Sequence, residues 1–197
     1  MLDRLRSRAR VVAPSMAVSV LVAASIIAIP IAHAADYTQA PGSTLQFAGK
    51  YEDEPFSGRF PGFVTTLRFD PAQLATSRLD VTIPLATATT GVEDYDSEMR
   101  GPSFFDSKRF PQARYTATKF RALGGNRFAA DGTLSLHGVD KPVTLTFTWT
   151  AGAKPVLDGK ATVKRLDFGV GAGEWADTSL LPDAITVTTR VVFAPKG

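Results

Sequence analysis

The chain has 197 residues, with 22 lysines and arginines against 19 aspartates and glutamates, 13 phenylalanines, two tryptophans and no cysteine. Arg4, Arg6, Arg8 and Arg10, with Asp3, fall in the opening stretch, so the remainder carries no net charge. That balance excludes a basic nucleic-acid footprint, and the missing cysteines exclude thiol catalysis, cysteine-held metals and disulfide bracing.

The opening segment reads as a targeting signal. Its arginines precede an apolar run from about Val11 to Ile31, and Ala32-His33-Ala34 supplies a small-x-small cleavage pattern. Cleavage after Ala34 by the general secretion route is the expectation, since no paired-arginine motif is present. An uncleaved membrane anchor is the alternative, because the apolar run is long for a signal core. Residues 35–197 are then one domain with room for a sizeable core.

Ala35 to Gly42 is polar and reads as a short arm. Thr44 to Tyr51 alternates, with Leu45 and Phe47 on one face, and predicts a first strand. Glu52-Asp53-Glu54-Pro55 predicts a turn. Phe56 to Asp70 reads as one long strand, bent or bulged at Pro61-Gly62. Leu79, Val81, Ile83 and Leu85 alternate with polar or small residues and predict a half-buried strand that Pro84 ends.

Thr87 to Pro111 breaks the alternation and predicts a connector, with a short helix near 94–106. Connectors this long are uncommon inside an all-β domain and are often functional. This one holds Phe104-Phe105 and then Phe110-Pro111. Neighbouring side chains on a strand face opposite ways, whereas a helical turn lets both phenylalanines lean over one apolar opening.

Strands then follow in quick succession: Arg114 to Leu123, Arg127 to His137 with a bulge at Asp131-Gly132, Pro142 to Thr150, Leu157 to Phe168 and Asp183 to Phe193. In the third of these, Val143, Leu145, Phe147 and Trp149 share one face and threonines the other. About eight strands with turn signals between them predict an all-β antiparallel barrel or sandwich. An eight-stranded barrel can be packed solid or hold one small ligand, and the residues alone leave both open.

Chemistry is sparse. Ser135 and His137 are two apart on a strand, so their side chains stand roughly 7 Å apart, whereas a nucleophile and its base need about 3 Å. His137 beside Gly138 is better read as a turn residue. Asp94, Asp96 and Glu98 alternate like the start of a calcium loop, but Met99 and Phe105 occupy its glycine and bidentate-glutamate positions. Gly169 to Glu174 imitates a dinucleotide loop without the last glycine or a following helix. No catalytic residue and no metal site is expected.

Three segments carry a family resemblance: Asp96-Ser97-Glu98-Met99-Arg100-Gly101-Pro102-Ser103-Phe104-Phe105-Asp106 with Arg109-Phe110-Pro111, then Leu134 to Val143, then Arg165-Leu166-Asp167-Phe168-Gly169-Val170-Gly171. In this order they resemble the YceI-like family. The resemblance implies a lipocalin-like, eight-stranded barrel enclosing a long isoprenoid or related lipid in an apolar tunnel, with no cofactor beyond that lipid. Glu98-Met99 stands where many members have His-Leu. In this the chain is more similar to a branch found alongside quinol-handling, cytochrome-b-type membrane proteins.

A periplasmic, non-catalytic carrier of a polyisoprenoid or isoprenoid quinone is therefore the expectation. The expected lining is Phe47, Phe60, Phe104, Phe105, Leu134, Leu136, Phe147, Trp149, Trp175 and Val187, with Arg100, Asp106 and Glu174 as polar groups at the mouth. A membrane cytochrome-b-type partner and a homodimer are further expectations. The alternatives are a solid barrel that docks on a membrane redox partner, and a lipid-modifying hydrolase or isomerase.

Overall fold

The computed structural model describes residues 35–196. The targeting segment expected at 1–34 lies outside the described residues. The strands are β1 (Ala35–Gln39), β2 (Thr44–Tyr51), β3 (Glu54–Arg59), β4 (Val64–Phe69), β5 (Arg78–Pro84), β6 (Gln112–Gly124), β7 (Arg127–Leu136), β8 (Val139–Thr150), β9 (Val156–Lys164) and β10 (Ala184–Pro195), with one α-helix, α1 (Glu93–Arg100).

Every strand pairing is antiparallel, and neighbours run β1-β4-β5-β6-β7-β8-β9-β10-β2-β3. β10 also pairs with β1, Tyr37 opposite Pro195 and Gln39 opposite Phe193, which closes eight strands into a barrel. Further along β10, β2 takes over as partner from Thr186 to Arg190, and the β2–β3 hairpin extends the wall there. The outer edge of β3 meets the α1 connector through the Arg59–Thr89 bridge.

Two hairpins turn on paired left-handed residues. Glu52 and Asp53 (φ 48° and 67°) join β2 to β3, and His137 and Gly138 (φ 53° and 78°) join β7 to β8. Positive φ at both central residues matches the right-handed twist of the flanking strands. The turn role read for His137 is the one it plays.

Several boundaries differ from the sequence reading. The segment read as an arm contains β1. Its polar composition hides a strand whose partners, β4 and β10, are distant in sequence. The stretch read as one bent strand is two, β3 and β4, separated by residues 60–63, because β3 follows β2 while β4 turns to pair with β1 and β5. The irregularity read at Asp131-Gly132 is real, but the extra residue is on the facing strand. Ala117 pairs with Gly132 and Lys119 with Asp131, which leaves Thr118 unpaired.

Inward side chains follow the period of two, and their sizes are segregated along the barrel. Phe69, Phe120, Phe128, Phe147, Trp149 and Phe193 are all buried and cluster together. Phe69 is the hub, with ring centroids 5.0 Å from Trp149, 5.1 Å from Phe128, 5.6 Å from Phe147 and 5.8 Å from Phe120. These edge and tilted contacts fill that end of the barrel. Towards the other end β5 to β10 supply, in order, Val81, Ala113, Leu134, Val143, Ala161 and Val187. Smaller side chains there leave the barrel hollow.

The connector is held by its own polar groups. Asp96, 6% exposed, accepts hydrogen bonds from the Thr89 hydroxyl, the Thr90 amide and the Thr90 hydroxyl. Burial opposes ionisation of this carboxyl, but these bonds, with the Arg100 charge, outweigh it and hold its pKa below the ordinary value. Glu93, Asp94 and Asp96 in the first turn also suit the helix dipole.

Candidate ligand cavity

The hollow end forms a cavity of about 520 Å³. Its wall is almost wholly apolar. β5 contributes Leu79, Val81 and Ile83, and β7 and β8 contribute Leu134, Leu136, Val143 and Leu145. β9 and β10 add Leu157, Ala161, Val163, Ile185 and Val187. The ring of Phe69 and its neighbours closes the deep end, so the space is a blind pocket rather than a passage through the barrel.

The exposed members of the lining mark the mouth. They are Tyr51, Glu54 and Pro55 on the β2–β3 hairpin, and Tyr95 and Glu98 on α1. Over the opening lie aromatic side chains from two loops. Phe105 packs on Phe60 with centroids 5.9 Å apart, and Phe104 packs on Trp175 at 5.3 Å. The two loops are also joined by backbone, since the Gly171 amide donates to the Ser103 carbonyl at 2.8 Å.

Of the expected lining, Phe47, Phe60, Phe104, Phe105, Leu134, Leu136, Trp175 and Val187 border the cavity. Phe147 and Trp149 face inward as the alternation requires, but they belong to the aromatic floor. Arg100, Asp106 and Glu174 do not border the cavity. Arg100 folds back on its own helix, donating to the Asp96 carbonyl at 2.8 Å and pairing with Glu93 at 3.1 Å. Asp106 adopts a left-handed turn conformation (φ 41°), and Glu174 is exposed on the turn before Trp175.

Sequence reasoning missed several wall residues. Tyr115 was hidden by the weak alternation of β6. Its hydroxyl donates within the wall, with the Ala130 carbonyl at 2.7 Å and the Val143 carbonyl at 3.1 Å. Burial pushes its pKa well up. Met99 and Tyr95 come from α1, whose apolar positions are too few to stand out.

Arg165 opens the third resemblance segment, but nothing in the sequence showed that it organises the loop that carries Trp175. It is 3% exposed, and its guanidinium donates to five carbonyls: Pro182 (3.2 Å), Val170 (3.1 Å), Gly171 (2.5 Å), Trp175 (2.6 Å) and Leu181 (2.6 Å). All five guanidinium N–H groups are thereby matched. Burial lowers its pKa against the opposing charge of Asp183.

His137 stands apart from the cavity. Its Nδ1 lies 3.1 Å from the Phe168 carbonyl, and Phe110 packs against its ring with centroids 4.8 Å apart. Among the described residues there is no cluster of three or more metal-ligating side chains. No helix among them is long and apolar enough to cross a membrane.

A closed, lipocalin-like antiparallel barrel with a blind apolar pocket and a two-loop cover defines the class. Residues 37–193 match the YceI-like domain, and the chain belongs to that family. BcnA of Burkholderia cenocepacia is a solved structure similar to it, with 32% identity and a TM-score of 0.73, covering 76% of this chain and 95% of that one. A UPF0312 protein of Vibrio campbellii is 26% identical over 169 residues, 78% of this chain and 89% of the relative. A polyisoprenoid binding domain from Saccharophagus degradans shares the fold, with a TM-score of 0.62 at 17% identity, covering 83% of this chain and 100% of that one.

Proposed function

We propose that the protein is a non-catalytic carrier that holds an amphipathic isoprenoid lipid, a polyisoprenoid or isoprenoid quinone, in the blind pocket. The observation that carries this reading is the pocket itself. Its volume of about 520 Å³ falls within the range of small-molecule sites, and its wall is apolar over nearly its whole surface. Each buried methylene contributes about 0.8 kcal/mol, so a ten-carbon stretch supplies about 8 kcal/mol before ordering costs. The tail would lie along Val81, Leu134, Ala161 and Val187, with Phe104, Phe105 and Trp175 covering its outer end.

The opening arginines and apolar run support export and a periplasmic location. The Glu98-Met99 branch supports a membrane cytochrome-b-type protein as source or acceptor of a quinone. The hollow end favours carriage over a solid docking module. A hydrolase reading has nothing to build on at Ser135, His137 and Asp140, since His137 sits in a hairpin turn away from the cavity.

The test is native mass spectrometry of the protein purified from its own source, followed by organic extraction. A co-purifying isoprenoid of defined mass is the expected result. A clean ligand-free mass in repeated preparations, with no uptake of added prenols, would overturn the reading.

A further inference from the structure

The cavity has a definite depth, and two strands show where it stops. On β8, Leu145 lines the cavity, and the next inward residue, Phe147, belongs to the floor. On β10, Val191 and Phe193 stand in the same relation. Wall gives way to floor within one inward position on both strands.

The floor is braced in two independent ways. Phe69 meets the rings of Trp149, Phe128, Phe147 and Phe120, so it cannot swing aside without displacing its neighbours. Phe193 packs on Trp149 with centroids 6.0 Å apart and on Tyr37 at 5.9 Å, and both Phe69 and Phe193 are fully buried. The floor also lies where β1 and β10 close the barrel, Gln39 opposite Phe193, so strand pairing stops the wall from spreading there. The mouth has no such closure, and Tyr51 and Tyr95 on its rim are exposed.

A fixed depth limits the length of chain that fits. An apolar protein cavity of about 150 Å³ holds one benzene, with its six carbons. At that density the cavity of about 520 Å³ holds about twenty carbons. Resting on the carrier reading, we infer that the ligand carries a short isoprenoid chain of three or four five-carbon units, and that Phe69, Phe147 and Phe193 set this limit. A chain of eight units would leave about half its carbons outside the pocket. Each methylene left in water weakens binding about fourfold.

The test equilibrates the full chain in detergent micelles with an equimolar mixture of prenyl alcohols of three, four, five, six and eight units. The protein is repurified and extracted, and the bound alcohols are quantified by mass spectrometry. The four-unit alcohol should exceed each longer one at least about tenfold. Leu145→Phe fills the last wall position on β8 and leaves the floor intact, and it should lower the ratio of four-unit to three-unit alcohol about tenfold. Phe69→Ala removes the centre of the floor and should admit the five-unit alcohol; if that variant does not fold, Leu145→Phe decides. Six- and eight-unit alcohols as abundant as the four-unit one, or a length profile unmoved by Leu145→Phe, would overturn the inference and leave the carrier reading standing. An extract free of every alcohol would remove the carrier reading itself.

Discussion

The ring of Phe47 occupies the space where its cross-strand partner, Gly58, would carry a Cβ. Phe47 thus lies flat against the β2–β3 hairpin and leaves the pocket open, and the glycine is what permits it. Its ring also meets Phe60, with centroids 5.2 Å apart, on the side that bears the cover.

Gly58→Ala should therefore act on both stability and capacity. The added methyl forces the ring inward, at a cost of about 1–3 kcal/mol typical of overpacking. Phe47→Leu in the same chain should recover part of that loss. Urea denaturation of the two single variants and the double variant measures the coupling. Additive losses would contradict the proposed contact.

Arg165 holds the cover through the backbone. Arg165→Met keeps the apolar stem but leaves several buried carbonyls without donors, each costing about 1–3 kcal/mol. A loss of at least about 3 kcal/mol is expected, together with faster amide exchange across 170–182. Unchanged exchange in that loop would show that the five hydrogen bonds do not carry it.

On the outer wall, Asp131 accepts from Arg121 at 2.7 Å and from Thr144 at 2.8 Å. The Arg121 hydrogen bond, followed by that from Thr144, draws its pKa down to about 2. A depressed carboxyl stabilises the fold fully above the unfolded value of about 3.9 and loses that contribution as pH falls towards 2. With solvent screening the contribution is about 1 kcal/mol. Asp131→Asn should flatten the acid limb of stability between pH 4 and pH 2, read by denaturant midpoints, and equal limbs would contradict it.

Much of the barrel was legible in the sequence. The inward face of β8, Val143-Leu145-Phe147-Trp149, follows from threonines on the opposite positions. The inward face of β10 follows from the alternation that includes Val187 and Phe193. What alternation could not supply was register, and register decides depth. Phe147 and Trp149 are inward in either a filled or a hollow barrel. They become floor only because β8 sets Phe147 opposite Phe128, and because Phe69 of β4 meets them across the interior.

The same limit explains the polar groups. Arg100, Asp106 and Glu174 sit close in sequence to cavity residues, yet helix and turn geometry point their contacts elsewhere. Glu54 and Glu98 reach the mouth through the hairpin and α1. Arg165 stood in a resemblance segment, but its role was invisible because its partners are carbonyls, which no residue type announces.

The central claim is that the hollow half of the barrel receives a hydrocarbon chain, and Val187 offers the most direct measurement. It lines the cavity and is only partly buried, so Val187→Phe adds volume where space exists and should change stability by less than about 1.5 kcal/mol. Isothermal titration with a prenyl alcohol should show binding to the natural chain with a negative heat-capacity change. The Val187→Phe chain should bind at least about tenfold more weakly, a loss of about 1.4 kcal/mol. Equal affinity in both chains would place the lipid outside the barrel and contradict the account.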